Sequence, residues 1–123
     1  MIRLSDVEIM AVDNNSDPKW LGDLQNLISP ELVSTDKEVR EEFGTDRWHA
    51  MAMPAAVVQA ESTEDVQKTL KFAHDREIPI TTRGAGVGYV GGCVPLKGGI
   101  LLSVARMNQI LEINPRDGVA VIE

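Results

Sequence analysis

The chain has 123 residues, 43% hydrophobic and 25% charged, the proportions of an ordinary soluble globular domain with a modest core. A net charge of −7, with no basic patch interleaved with aromatics, argues against a nucleic-acid partner. No apolar run approaches a membrane span, the single Cys93 excludes an intrachain disulfide, and two histidines among scattered acids show no metal-ligand spacing.

The opening residues, MIRLSDVEIM, lack the basic, apolar and small-residue order of a secretory signal, so a cytoplasmic location is expected, at most peripheral to a membrane. Residues up to Pro18 read as irregular. Asp17-Pro18 is a suitable helix start, since Asp caps and Pro is tolerated at the first helical position. Trp20, Leu21, Leu24, Leu27 and Ile28 then recur at helical spacing and predict one buried face. A second helix is predicted from Thr35 or Asp36 to Phe43, with Val39 and Phe43 sharing its inward face and Gly44 as its stop. Gly44 to Met53 reads as a linker containing Asp46, Arg47, Trp48 and His49, with Met51 and Met53 as packing residues.

From Pro54 the pattern sharpens. Ala56 to Ala60 predicts a short buried strand. Ser62 is a good N-cap with Asp65 as its capping-box partner, and Val66, Leu70 and Ala73 form the apolar stripe of a helix ending near Arg76. Ile78 to Thr82 is β-branched and predicts a second strand, completing a βαβ unit with parallel strands. Gly99 to Val104 is a third strand, Ala105 to Gln109 a turn or short helix, and Ile110–Asn114 with Val119–Glu123 a hairpin around Pro115-Arg116-Asp117-Gly118. Because the sequence stops within that last strand, the chain reads as the front portion of a larger protein.

Between the second and third strands lies Thr82 to Gly92, TRGAGVGYVGG. It sits in a span, Ile78 to Leu111, that holds no Asp or Glu and seven of the ten glycines, together with Arg83, Lys97 and Arg106. Glycine lets N–H groups approach a ligand closely, such concavities bind anions, and the missing acids remove like-charge repulsion. Gly86 to Gly91 matches G-x-G-x-x-G, but the Rossmann reading fails on context. The following Gly91 to Gly99 cannot form a good helix, and no acid stands about twenty residues on to hold a ribose. A Walker A loop fails because no Gly-Lys-Ser/Thr occurs. A glycine-rich surface turn would explain a few glycines but not this acid-free cluster, so a phosphate cradle is favoured. Arg83 either pairs with phosphate or fixes the loop through backbone carbonyls.

Three segments in order carry a family resemblance: Pro54 to Val66, Ile78 to Gly88, and Ala105 to Ile113. From about Val33 to Glu123 the chain resembles FAD-linked oxidases of the vanillyl-alcohol-oxidase superfamily, most nearly the glycolate oxidase flavin subunit and the D-lactate dehydrogenases. The resemblance implies an α+β fold. N-terminal helices (residues 1–53) would precede a βαβ unit with a small, mostly parallel sheet, the first subdomain of a PCMH-type FAD-binding domain (54–109). Residues 110–123 would begin a second, antiparallel subdomain. It also implies that Arg83, Gly84, Ala85, Gly86, Val87, Gly88 and Tyr89 wrap the FAD pyrophosphate, that Gly91 and Gly92 continue the contact, and that Pro54 lies near the cofactor.

Val87 and Val90 stand where relatives often carry Thr and Ser, a loss of about 0.5–1.5 kcal/mol for each ordinary hydrogen bond. Val87 also occupies the place of the histidine that attaches FAD covalently in some relatives, so FAD is expected to be non-covalent. The implied partners are a small 2-hydroxy acid, glycolate or D-lactate, an electron acceptor, and the remainder of the FAD-binding and substrate domains, with homo-oligomerisation open. The resemblance implies that the family's carboxylate-binding arginine and catalytic histidines lie downstream of residue 123, and no catalytic residue is named. Two alternatives stand beside this reading: a unit that holds FAD or another phosphate ligand without turnover, and a fragment that needs further chain to complete its fold.

Of the remaining residues, His74 reads as an exposed helix residue and His49 as structural. Arg106 and Asn108 read as braces for the glycine loop. Cys93, with only distant Lys97 as a basic neighbour, reads as buried and inert.

Overall fold

A computed structural model describes residues 18–123. The expected Asp17 cap lies outside them. The first helix, α1 (Leu21–Leu27), begins with Trp20 at its N-cap position and no side-chain cap, after a turn closed by Leu21 N–H to the Pro18 carbonyl at 2.9 Å. Leu21 and Leu24 are its buried residues, while Leu27 is exposed. Trp20 still serves the core, meeting Phe72 edge-on at a centroid distance of 6.3 Å.

A single 3-10 turn, Pro30–Leu32, leads into a two-residue strand, β1 (Val33–Ser34), which the local sequence pattern does not signal. Helix α2 (Lys37–Phe43) follows. Asp36 caps it, its carboxylate accepting from Glu38 and Val39 N–H at 2.9 and 3.2 Å, and Gly44 ends it. Val39 and Phe43 are only half-buried, so the inward face expected of this helix is shallow.

Strand β2 (Ala56–Gln59) is followed by α3 (Thr63–Asp75) and β3 (Ile80–Arg83). Ser62 Oγ accepts from Asp65 N–H at 3.2 Å, as a capping box requires, and the Asp65 carboxylate accepts from Glu61 N–H at 3.2 Å, one residue earlier than the usual pattern. The buried stripe of α3 is Thr69, Phe72 and Ala73 with Val66 packed against the core; Leu70, expected on that face, is exposed. Thr69 can take the inward place because its hydroxyl donates to the Asp65 carbonyl at 2.7 Å, leaving no bare polar atom. Strand β3 starts two residues later than expected, because Ile78 N–H is used to close the helix on the Ala73 carbonyl at 2.9 Å.

Strand β4 (Ile100–Ser103) lies between β2 and β3 and is parallel to both; β1 pairs antiparallel with β2, giving the order β1-β2-β4-β3. The βαβ unit is therefore split, its two strands joined through β4 and not to each other. Register sets Ala56 opposite Ile100 and Val58 opposite Leu102, and this face packs with Leu21, Leu24, Phe72 and Ala73 into the main core. Val57 and Leu101 are fully buried on the other face. Strands buried on both sides read as continuous apolar runs, which is what both segments are.

The chain closes with an antiparallel hairpin, β5 (Ile110–Asn114) and β6 (Val119–Ile122), irregular between Ile110 and Glu112. Residues 105–109 form a turn without a helix. The α+β class expected from the sequence is the fold observed. No described helix is long and apolar enough to cross a membrane.

Candidate functional site

The glycine-rich segment leaves the sheet at the end of β3 and returns at β4, in irregular turns with no helix. None of the backbone N–H groups from Gly84 through Cys93 donates a hydrogen bond within the described residues. The first that does is Val94, to the Gly91 carbonyl at 3.0 Å. Backbone donors are obligatory hydrogen-bonding groups, so a continuous unpaired run of this length is available to solvent or to a ligand rich in acceptors.

The glycines of this loop are not alike, and Gly91 has a left-handed φ of +71° with open space where a Cβ would stand. A side-chain carbon on Gly84, Gly88 or Gly92 would meet no atom of the protein within 4 Å, and none of the three has a left-handed backbone. Their lack of a side chain serves no internal packing; it keeps the outer face of the loop open for close approach. Gly86 differs. It has φ +71°, and a Cβ there would collide with the Arg83 guanidinium.

The structure gives Arg83 a carbonyl contact, one of the two roles left open by the sequence. Its Nη1 donates to the Thr45 carbonyl and lies 3.5 Å from Cys93 Sγ, and its guanidinium faces the Phe43 ring at 5.8 Å. The side chain thus braces the loop from behind, through a carbonyl. Cys93 is correspondingly not a buried thiol remote from charge: it is half-buried with a cation beside it.

The supposed linker before Pro54 is a closed turn. Thr45 and Met51 form an antiparallel bridge, and Asp46, only 6% exposed, folds its carboxylate over the turn. Asp46 Oδ1 accepts from Trp48 N–H at 2.8 Å and Ala50 N–H at 3.0 Å. His49 takes φ +63° at the tip, and Met51, expected to pack, is exposed. Trp48 is 68% exposed and meets Tyr89 of the glycine loop edge-on, 5.8 Å between centroids. Sequence reasoning missed this turn, although an Asp whose side chain can reach N–H groups two and four residues on is a local signal for it.

The other expected site residues are distributed as follows. Pro54 is fully buried at the entrance to β2. Ala85, Val87 and Tyr89 are exposed along the loop, Val90 is 92% exposed, and Gly91 and Gly92 follow it into the turn at Val94. Arg106 does not brace this loop; it pairs with Glu61 at 2.7 Å and ties the segment after β4 to the start of α3. Among the described residues, the groups whose proton affinity clearly moves lie on α3, outside the loop. Lys68 is raised by its hydrogen bond and charge interaction with Glu64, and Asp75 is lowered, chiefly by its hydrogen bond from Lys71.

Fold and loop together define an α+β domain that offers an acid-free run of backbone donors to an anionic ligand. Residues 54–123 match the family described as an FAD binding domain, and the chain belongs to that family. FAD is accordingly the cofactor implied for this domain, and the residues present fit its pyrophosphate, since unpaired N–H groups and open glycine faces are what such a dianion requires.

Among its relatives, a D-lactate dehydrogenase of Anaerostipes hadrus is 36% identical over 98 residues, covering 78% of this chain and 21% of that protein. The glycolate oxidase subunit GlcD of Escherichia coli is 40% identical over 86 residues, covering 69% and 17% respectively. The chain thus spans about a fifth of the length of these curated relatives. Among solved structures, the 4-ethylphenol oxidase from Gulosibacter chungangensis superposes with TM-score 0.72 at 33% identity over 84% of this chain and 21% of that one. An alkyldihydroxyacetonephosphate synthase superposes with TM-score 0.73 at 23% identity over 87% and 24%, a likeness of fold.

Proposed function

We propose that the protein is an FAD-dependent oxidoreductase acting on a small 2-hydroxy acid, glycolate or D-lactate, and that this chain is its FAD-binding portion, holding the cofactor non-covalently. The observation that carries the reading is the run of unpaired N–H groups from Gly84 to Cys93, joined to three glycines with no internal reason to be glycine. Relatives named for D-lactate and glycolate support the substrate class.

In this reading the Gly84–Gly92 backbone binds and orients the pyrophosphate, and the absence of acids from the segment itself spares it repulsion there. The valine at position 87 offers no nucleophilic or imidazole atom for covalent attachment. When bound, FAD supplies the acceptor for a hydride from the carbinol carbon of the hydroxy acid. The hydroxyl proton passes to a base, and a separate electron acceptor then completes turnover.

The test is spectroscopic. The purified protein is expected to carry a flavin absorbance band, release its flavin into the supernatant on acid precipitation, and lose the band when D-lactate or glycolate is added anaerobically. Absence of any flavin, or of flavin uptake from added FAD, would overturn the reading. A band that neither acid bleaches would favour the alternative, a cofactor-holding unit without turnover of its own.

A further inference from the structure

We propose that the Thr45–Met51 turn belongs to the cofactor site, and that Asp46 is a positioning residue that controls FAD affinity through Arg83 without touching the cofactor. The inference rests on the FAD reading above and assigns a role to a segment outside the glycine loop.

Two contacts join the turn to the loop, and a third carries the first of them on to Gly86. The Thr45 carbonyl receives the Arg83 guanidinium; that guanidinium fills the space beneath Gly86 that any Cβ would need; and Trp48 packs edge-on against Tyr89. Arg83 stands at the last position of β3, so its backbone is fixed by the sheet, its carbonyl accepting from Val104 N–H at 2.9 Å. What remains adjustable is the side chain, and its acceptor is only as well placed as the turn that carries it.

One carboxylate oxygen reinforces that turn beside its backbone bonds, among them His49 N–H to the Asp46 carbonyl at 3.3 Å and Ala52 N–H to the Gly44 carbonyl at 3.0 Å. Asp46 Oδ1 takes both the Trp48 and the Ala50 N–H, while Asp46 N–H bonds to the Ala50 carbonyl at 3.0 Å. Without the carboxylate the Trp48 and Ala50 N–H groups lose their partner, and the turn that carries the Thr45 carbonyl and the Trp48 ring is loosened. None of the loop's N–H groups from Gly84 to Cys93 is paired within the described residues, so this external brace contributes to fixing its shape. Pre-ordering a loop lowers the entropy cost of binding and so raises affinity.

The experiment titrates FAD, followed by flavin fluorescence, into the wild-type protein and the variants Asp46→Ala, Asp46→Asn and Arg83→Lys, with Cys93 labelling by a thiol-reactive chromophore as a second readout. Because Cys93 Sγ lies 3.5 Å from Arg83, its labelling rate reports release of the guanidinium. Asp46→Ala is expected to weaken FAD binding about tenfold, the effect of losing one to two hydrogen bonds, and to speed Cys93 labelling. Asp46→Asn keeps the bridging oxygen and should restore both to near wild-type values.

Arg83→Lys keeps the charge but not the fork, and should bind FAD as poorly as Asp46→Ala. This variant also decides the matter should Asp46→Ala fail to fold. Wild-type affinity in Asp46→Ala or in Arg83→Lys overturns the proposal alone. A wild-type protein that takes up no FAD overturns the functional reading and this inference with it.

Discussion

Strand β4 and the β5–β6 hairpin carry the same kind of side chain, isoleucine, leucine and valine, and meet opposite surroundings. Every residue of β4 is buried, between two parallel neighbours and beneath α3, whereas Ile110, Ile113, Val121 and Ile122 of the hairpin are all exposed. The difference teaches that apolar content states a demand for cover without supplying it. The hairpin is held by its own ladder and by its turn, in which Asn114 Oδ1 accepts from Arg116 and Asp117 N–H at 3.1 and 3.2 Å. A two-stranded unit held this way is marginal by itself, so side-chain loss should register in β4 and hardly at all in the hairpin.

Leu102→Ala gives the largest expected effect. The side chain is fully buried in the main core, so removal should cost about 2–5 kcal/mol, measured as a lower urea midpoint. Ile113→Ala, 65% exposed, should stay within about 0.5 kcal/mol. Equal losses would break the comparison, because they would mean that the hairpin is covered in solution.

A second pair separates backbone conformation from crowding. Gly99 and Gly118 have nearly the same left-handed φ, +71° and +65°. A Cβ on Gly118 meets open space, so Gly118→Ala should cost only the left-handed penalty, about 1–2 kcal/mol. At Gly99 the Cβ would also run into the Pro79 carbonyl, the acceptor for Ile100 N–H where β4 begins. Gly99→Ala should therefore destabilise more than Gly118→Ala in the same denaturation series. Equal effects would show that the sheet edge can shift to make room.

The same contrast explains what could be read from residues alone. Strands β2 and β4, helix α3 with its Ser62 cap, α2 with its Asp36 cap and the hairpin with Asp117-Gly118 were legible because each signal is local: a run, a period or a turn dipeptide. The insertion of β4 between β2 and β3, and the two-residue β1 pairing with β2, were not, since both are pairings between distant segments. Thr69 takes the inward place expected of Leu70 because helical period locates a stripe only to within a residue, and the Thr69 hydroxyl found an acceptor on its own helix.

At the site, the glycine loop was legible from composition as an acid-free, glycine-rich connection between two strands. The Arg83 brace was not, because its acceptor, the Thr45 carbonyl, lies 38 residues away and is presented only once the Asp46 turn has closed.

The smallest expected effect lies on the outer face of α3, where a well-formed contact sits in the surroundings of the hairpin. Lys71 Nζ is 2.8 Å from the Asp75 carboxylate, good geometry, but both side chains are largely in water. That hydrogen bond, with weaker help from the charges of Lys71, His74 and Arg76, holds the Asp75 carboxyl below its ordinary value. A carboxyl depressed on folding contributes stability above its unfolded value, near pH 4, and loses it as pH falls through the lower folded value. Lys71→Met should therefore be slightly less stable than wild type at neutral pH, and the two urea midpoints should converge as pH drops below about 4. Exposure keeps the gap small, since solvent screens such pairs. A gap that persisted unchanged in acid would belong to the packing of the Lys71 stem and not to its charge, and would place this face of α3 with the covered part of the molecule.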